Sequence, residues 1–126
     1  MNTTTLTDLV TRYLAVWAEP DAARRAAAVA ELWAPDAVQL TEEAEFAGHS
    51  ALTGRVAEAQ HAFCAERGWA VTAADDARAH HDCAAFTIQL EQAGERLWAA
   101  RVFLLLAEDG RIRRDHHLTV QDLQVG

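Results

Sequence analysis

Lysine is absent from this sequence, and all 11 basic residues are arginine. Catalysis through a Schiff base on a lysine amine is therefore excluded. Serine occurs once, at Ser50, in a segment that lacks the second glycine of a nucleophile elbow. Neither a glycine-rich phosphate loop nor a dinucleotide-binding fingerprint is present. These absences leave chemistry that uses ordinary polar side chains and no bound nucleotide.

Cysteines and long apolar runs are also scarce. Cys64 and Cys83 are too few for a disulfide framework, so we expect both thiols to be reduced and the protein to be cytoplasmic. No apolar run approaches the ~18 residues that span a bilayer, and residues 1–8 lack the features of a signal peptide. The net charge of −8 disfavours nucleic acid and anionic membranes as partners.

The remaining composition is that of one globular domain. The chain has 126 residues, of which 51% are hydrophobic, so we expect a single domain over residues 1–126. Apolar residues recur at three- and four-residue steps in the first half, which predicts helices near 6–17, 21–33 and 50–67. Pro20 ends the first, Asp21 caps the second, and Gly68 stops the third.

The second half has the pattern of strands. Phe86, Ile88 and Leu90 alternate with polar residues, and Glu108-Asp109-Gly110 is typical of a hairpin turn. Strands are predicted near 69–78, 82–92, 96–107 and 111–122, which gives an α+β fold with helices on one face of an antiparallel sheet. The segment Val102-Phe103-Leu104-Leu105-Leu106 is apolar on both faces, so we expect a homodimer through the outer, convex face of the sheet.

The order of these motifs resembles the nuclear transport factor 2-like (NTF2-like) superfamily, in particular its SnoaL-like and ketosteroid-isomerase-like members. The segments that carry the resemblance are Arg12-Tyr13-Leu14-Ala15-Val16-Trp17, Leu32-Trp33-Ala34-Pro35-Asp36-Ala37-Val38, Gly48, Ala85-Phe86-Thr87-Ile88 and Glu108-Asp109-Gly110-Arg111-Ile112. The resemblance implies three N-terminal helices in the concave face of a curved antiparallel sheet of four to six strands. It also implies a cone whose open end leads to a hydrophobic pocket. Because this superfamily includes isomerases, polyketide cyclases, epoxide hydrolases, dehydratases and proteins without known catalysis, the fold does not fix the activity.

This sequence lacks key catalytic residues of two activities in the superfamily. The tyrosine of the ketosteroid isomerase pattern falls on Tyr13, but its two aspartates fall near Thr41 and Val102. The arginine of the limonene epoxide hydrolase pattern is replaced by Ala100, and Arg101 should point to the other face. Steroid isomerisation by the first mechanism is therefore not expected.

The last predicted strand carries the strongest candidates for chemistry. Because side chains alternate between the two faces of a strand, Arg113, Asp115, His117 and Thr119 share one face. The resemblance implies that this face lines the pocket. Asp115 and His117 would then form an acid–base pair in an apolar cavity. The alternative is that both are solvated at the cone mouth or form a dimer contact.

Tyr13 lies four residues before Trp17 on the first helix, so the two side chains share a face. Tyr13 could donate a hydrogen bond to a ligand carbonyl, or both could be ordinary core aromatics. The residues predicted to line the ligand pocket are Trp17, Phe86, Ile88, Trp98, Ala100, Val102 and Thr119.

No metal site is predicted from the histidine pairs. His116 and His117 point to opposite faces of a strand and cannot bind one ion together. His80-His81-Asp82 likewise lacks a ligand spacing.

Two functional hypotheses follow from the residues and the resemblance. In the first, the chain binds a small apolar molecule and performs cofactor-free acid–base chemistry: isomerisation, cyclisation, dehydration or epoxide opening. In the second, it is a non-catalytic ligand-binding or accessory domain that uses the same pocket or the dimer face.

Overall fold

The computed structural model describes residues 1–123. Its helices are α1 (Thr3–Ala18), α2 (Ala22–Leu32) and α3 (Gly48–Ala59), and a π-helix (Gln60–Ala65) continues α3. The first two agree closely with the sequence prediction. The Asp21 side chain accepts a hydrogen bond from the Arg24 backbone N–H at 3.3 Å and so caps α2, as expected.

The third helix differs from the prediction in its second half. The sequence predicts one helix over residues 50–67, whereas the structure widens into the π-helix after Ala59. Gly68 stops it as predicted, because the residue adopts a φ of 70° and its N–H donates to the Cys64 carbonyl at 3.0 Å. The π-helix contributes Phe63 and Cys64, consecutive residues, to one cavity wall.

The seven strands of the described chain form one curved mixed sheet. They are β1 (Trp33–Leu40), β2 (Glu45–Ala47), β3 (Ala70–Ala73), β4 (Arg78–His80), β5 (Cys83–Gln92), β6 (Glu95–Leu106) and β7 (Ile112–Gln121). The order is β2-β1-β7-β6-β5-β3, and β4 also pairs with β5.

The predicted antiparallel sheet of four to six strands is wrong in two respects. There are seven strands, and β1 pairs with β7 in parallel, with Gln39 opposite Asp115. The strand β1 is not among the strands predicted from the sequence, because local periodicity carries no sign of a partner more than 70 residues away. The segment predicted as one strand over 69–78 divides into β3 and β4.

The alternation predicted for the last strand is confirmed over most of its length. Asp115 and His117 are buried, whereas Leu118 and Val120 are exposed. Arg113 departs from the prediction: the pairing of β6 with β7 shifts by one residue before Leu106, and the side chain is exposed instead of lying on the side of Asp115.

The core lies between the helices and the inner face of the sheet. Tyr13 is fully buried at its centre, with its ring centroid 5.6 Å from that of Trp33 and 5.4 Å from that of Phe86. Such tilted and edge-on ring pairs add to the stability gained from apolar burial. Along residues 1–123, no helix has the length and hydrophobicity needed to cross a membrane.

Candidate functional site

Three of the side chains singled out from the sequence meet inside the fold. The Tyr13 hydroxyl donates to Asp115 Oδ2 at 2.8 Å and lies 2.7 Å from His117 Nε2. His117 Nε2 is also 3.2 Å from Asp115 Oδ1, a distance that suits ion pairing although the angle does not make a hydrogen bond. The helix α1 therefore places the Tyr13 hydroxyl in contact with Asp115 and His117, two successive inward residues of β7.

Two further residues belong to this network and were missed in the sequence. Gln39, fully buried on β1, places its Nε2 3.3 Å from Asp115 Oδ2 and 3.4 Å from His117 Nε2. Arg55 on α3 donates from Nε to Gln39 Oε1 at 3.3 Å. The parallel pairing of β1 with β7 puts Gln39 beside Asp115, and no local pattern signals that pairing.

The donors and acceptors of the network fix its direction. Because Arg55 donates to Gln39 Oε1, the Gln39 Nε2 is the end that faces Asp115. The phenol has one proton, which Asp115 Oδ2 accepts. In the 2.7 Å contact between His117 Nε2 and the Tyr13 oxygen, the donor is therefore assigned as Nε2–H. In this arrangement Nδ1 of His117 is an unprotonated acceptor.

A cavity of about 360 Å³ lies against this network. His117 lines it and is 5% exposed, whereas Tyr13 and Asp115 are fully buried behind it. Exposed residues such as Glu42 also line the cavity, so it opens to solvent. His117 is thus the member of the Tyr13–Asp115–His117 group that a bound molecule can reach.

Two buried polar atoms of residues that line the cavity have no hydrogen-bond partner within residues 1–123. They are Nδ1 of His117 and Nε1 of Trp17, and the two rings lie 6.0 Å apart. A buried polar group without a partner costs free energy, and such groups are rare in native structures.

The predicted pocket residues divide between the wall and the core. Trp17, Ile88, Trp98 and Thr119 line the cavity. Phe86, Ala100 and Val102 are completely buried in the core and do not line the cavity. The prediction that these three residues line the ligand pocket is therefore wrong. Tyr13 is corrected similarly, because its hydroxyl is held by Asp115 and does not reach the wall.

Burial raises the pKa of Tyr13 well above its ordinary value of 10.0, and the negative charge of Asp115 and the hydrogen bond to it add to the rise. An unfolded chain ionises this phenol near its ordinary pKa, while the folded chain keeps it neutral. The stabilisation from neutral Tyr13 is therefore complete below about pH 10 and is lost as the pH rises toward the folded value.

We expect ionisation of Tyr13 to coincide with unfolding when the pH is raised above 10.0. Tyr13 is the sole tyrosine of the chain, so tyrosinate absorbance reports on this residue alone. Absorbance and tryptophan fluorescence, recorded over one alkaline titration, should change together. Tyrosinate appearing near pH 10 while the fluorescence remains native would contradict the buried placement.

The described residues offer no metal centre: within 1–123, no group of three or more His, Cys, Asp or Glu side chains could hold an ion. His116 and His117 lie on opposite sides of β7, as predicted.

Comparison with known structures decides the fold. A proposed isomerase of the SnoaL-like family from Agrobacterium tumefaciens strain C58 superposes with a TM-score of 0.84 over 93% of this chain and 98% of its own, at 21% identity. The fold is that of SnoaL-like, NTF2-like proteins. The resemblance found in the sequence is confirmed at this level.

Other SnoaL-like structures match over nearly their whole length. A SnoaL-like protein of unknown function from Burkholderia thailandensis E264 gives a TM-score of 0.73 at 10% identity, covering 95% of this chain and 98% of its own. A proposed polyketide cyclase from Sinorhizobium meliloti gives 0.66 at 20% identity, covering 93% and 99%. No family profile and no curated protein sequence matches the chain. At these identities the SnoaL-like likeness establishes the fold alone.

Proposed function

We propose that this chain binds a small, largely apolar molecule in the cavity and moves a proton on it without a cofactor. The observation that carries the proposal is the placement of His117. Its Nε2 is held by Tyr13, its Nδ1 has no partner in the described chain, and its ring lines an otherwise mainly apolar cavity. A histidine in such a position suits general acid–base catalysis.

The residues behind His117 would support that chemistry. When Nδ1 takes a proton from a carbon acid, the electron pair of the broken C–H bond moves onto the ligand, for example to a carbonyl oxygen. The ring becomes an imidazolium, and the Asp115 carboxyl group 3.2 Å from Nε2 stabilises its charge. Tyr13 and Gln39 hold both groups in place. Tyr13 and Asp115 are thus positioning residues in this scheme.

The comparisons support the class of reaction. Two neighbours are described as a proposed isomerase and a proposed polyketide cyclase, and both isomerisation and cyclisation can begin with removal of a proton next to a carbonyl. Isomerisation, cyclisation and dehydration all fit a single acid–base residue in an apolar cavity.

Binding can be tested by thermal denaturation in the presence of apolar ketones, lactones and epoxides. A ligand at ~100-fold excess over its dissociation constant stabilises the folded state by about 2.7 kcal/mol. We expect at least one chemical class to raise the melting temperature by several degrees. A broad panel without any stabilising compound would argue against the binding part of the proposal.

A non-catalytic role is the second candidate, and one observation favours it. Tyr13 and Asp115 are completely enclosed, so their hydrogen bonds would also serve a purely structural core. A binding or accessory domain would keep the ligand affinity and show no proton transfer that depends on His117. Exchange of ligand protons with solvent separates the two candidates.

We also propose that the outer face of β6 and β7 binds a second copy of the chain. Leu118 and Val120 are 53% and 58% exposed there, with Phe103 beside them. Over 101–105 and 114–120, the outward side chains of these two strands include none of the 19 acidic residues of a chain with net charge −8. The cations of this face are Arg101, which pairs with Asp76 at 2.6 Å, and Arg114, so two such faces can approach without repulsion between carboxylates.

The dimer is tested by sedimentation equilibrium. We expect the wild type to sediment at twice the chain mass of 13.8 kDa. The double variant Leu118→Glu, Val120→Glu should sediment at the single mass, because it replaces two apolar side chains of the interface by carboxylates that must lose their water. Ala23→Glu, on the exposed side of α2, is the control and should leave the dimer intact. A monomeric wild type would contradict the proposal.

A further inference from the structure

Arg55 is a cation on the cavity wall that has no acidic partner in the part of the chain that the structure describes. Its guanidinium carbon lies 5.6 Å from the ring centroid of Trp17 and 5.3 Å from that of Phe46. These two rings stabilise the charge by cation–π contacts. One of its five N–H donors is used, by Gln39.

Neither Glu42 nor Glu43 forms an ion pair with this cation. Glu42 uses both carboxylate oxygens on Thr119, accepting from the backbone N–H at 2.9 Å and from the hydroxyl at 3.2 Å. Glu43 lines the cavity from an exposed position, and no ion pair joins it to Arg55. The guanidinium therefore presents unused donors toward the space that the ligand would fill.

The rest of the wall defines the other end of the ligand. Phe63, Val71, Ile88, Leu90 and Trp98 give it an apolar lining. A volume of about 360 Å³ is at the low end of ordinary small-molecule sites. The N–H groups of a guanidinium can donate in parallel to both oxygens of a carboxylate, and they bind a neutral ligand group less strongly.

We propose that Arg55 selects ligands that carry a carboxylate on an apolar body. This deepens the function proposed above and rests on the same use of the cavity. Through Gln39, Arg55 is linked to Asp115, which pairs with His117 at 3.2 Å, so the carboxylate end would bind on the side of the acid–base group.

Three probes with one apolar body test the charge preference: naphthoate, naphthalenemethanol and naphthylmethylamine. We expect calorimetric titration of the wild type to show naphthoate binding at least about tenfold more tightly than the alcohol, with the amine weakest. Arg55→Gln should remove this preference, weakening naphthoate about tenfold and leaving the alcohol within about twofold. Arg55→Lys should keep part of the preference, since it retains the charge without the fork.

Arg67→Gln is the matched control. Arg67 also stacks on a tryptophan, with its guanidinium carbon 5.0 Å from the Trp69 ring centroid, but it does not line the cavity. This variant should bind all three probes as the wild type does.

Several outcomes would overturn the proposal. Equal affinity of the wild type for naphthoate and the alcohol would overturn the charge selection while leaving the apolar site and the acid–base function standing. Tightest binding of the amine would show that the acidic residues lining the cavity, and not Arg55, determine the charge preference. Equal weakening of naphthoate and the alcohol by Arg55→Gln would give Arg55 a structural role only. Failure of all three probes to bind would overturn both this inference and the proposed use of the cavity.

Discussion

Replacing Asp115 by alanine is expected to lower the free energy of unfolding by about 3–5 kcal/mol. The carboxyl group is completely buried and accepts hydrogen bonds from the Tyr13 hydroxyl and from Gln39 Nε2. Its removal leaves both donors without their acceptor at a fully buried position. Urea denaturation followed by tryptophan fluorescence measures the change, provided that the denaturant dependence is the same in both proteins.

Two variants make this result specific to the buried network. Asp115→Asn keeps an oxygen for the Tyr13 hydroxyl, so we expect a loss of only about 1 kcal/mol. Asp109→Ala removes an exposed carboxylate that pairs with Arg111 at 2.8 Å, and it should leave the free energy of unfolding almost unchanged because water screens such pairs. An Asp115→Ala protein as stable as the wild type would show that the carboxyl group does not hold these donors.

The second large effect is expected at His117. If Nδ1 removes a proton next to a carbonyl, the protein should accelerate exchange of the methyl protons of acetonaphthone in D₂O. The proton passes to Nδ1, the electron pair forms the enolate, and the imidazolium, after exchange with solvent, returns a deuteron. His117→Gln should slow this exchange by about 10²–10⁴-fold, the usual contribution of a general base.

The neighbouring histidine supplies the control for that experiment. His116 lies on the opposite side of β7 and is only partly buried, so His116→Gln should exchange the probe as the wild type does. Asp115→Asn should fold and yet lose most of the activity, because the imidazolium loses its compensating charge. Equal exchange by the wild type and His117→Gln would contradict the role of His117 and favour the non-catalytic candidate.

Local patterns were sufficient to predict much of this molecule. Asp21 caps α2 and Gly68 stops the third helical segment because capping and positive φ depend on the residue itself and its near neighbours. The period-two pattern of β7 likewise predicted that Asp115 and His117 share a face, and both are buried there.

Contacts between distant segments could not be predicted from local patterns. Gln39 and Asp115 are 76 residues apart and meet through a parallel pairing that no local signal marks. Arg55 precedes the inward residue Val56 on α3, and an arginine beside an apolar stripe is typical of a solvated position. Its packing between two aromatic rings depends on how α3 crosses the sheet.

The alternation of side chains along a strand also does not predict which inward residues line the cavity and which are buried in the core. Phe86 and Ile88 share the inner face of β5, yet only Ile88 lines the cavity. Tyr13 packs edge-on against Phe86 at 5.4 Å and covers it. Alternation assigns a face, whereas the position of α1 over the sheet decides which residues of that face remain accessible.

The most direct test of the account is nitrogen NMR of the His117 side chain with and without a ligand. The signal is assigned by its loss in His117→Gln, and acetonaphthone is added to saturation. We expect the Nδ1 resonance of His117 to change while the signals of His116 stay in place, because Nδ1 is the atom that lacks a partner in the described chain. Binding of acetonaphthone that leaves both His117 nitrogens unchanged would contradict the claim that this residue meets the ligand.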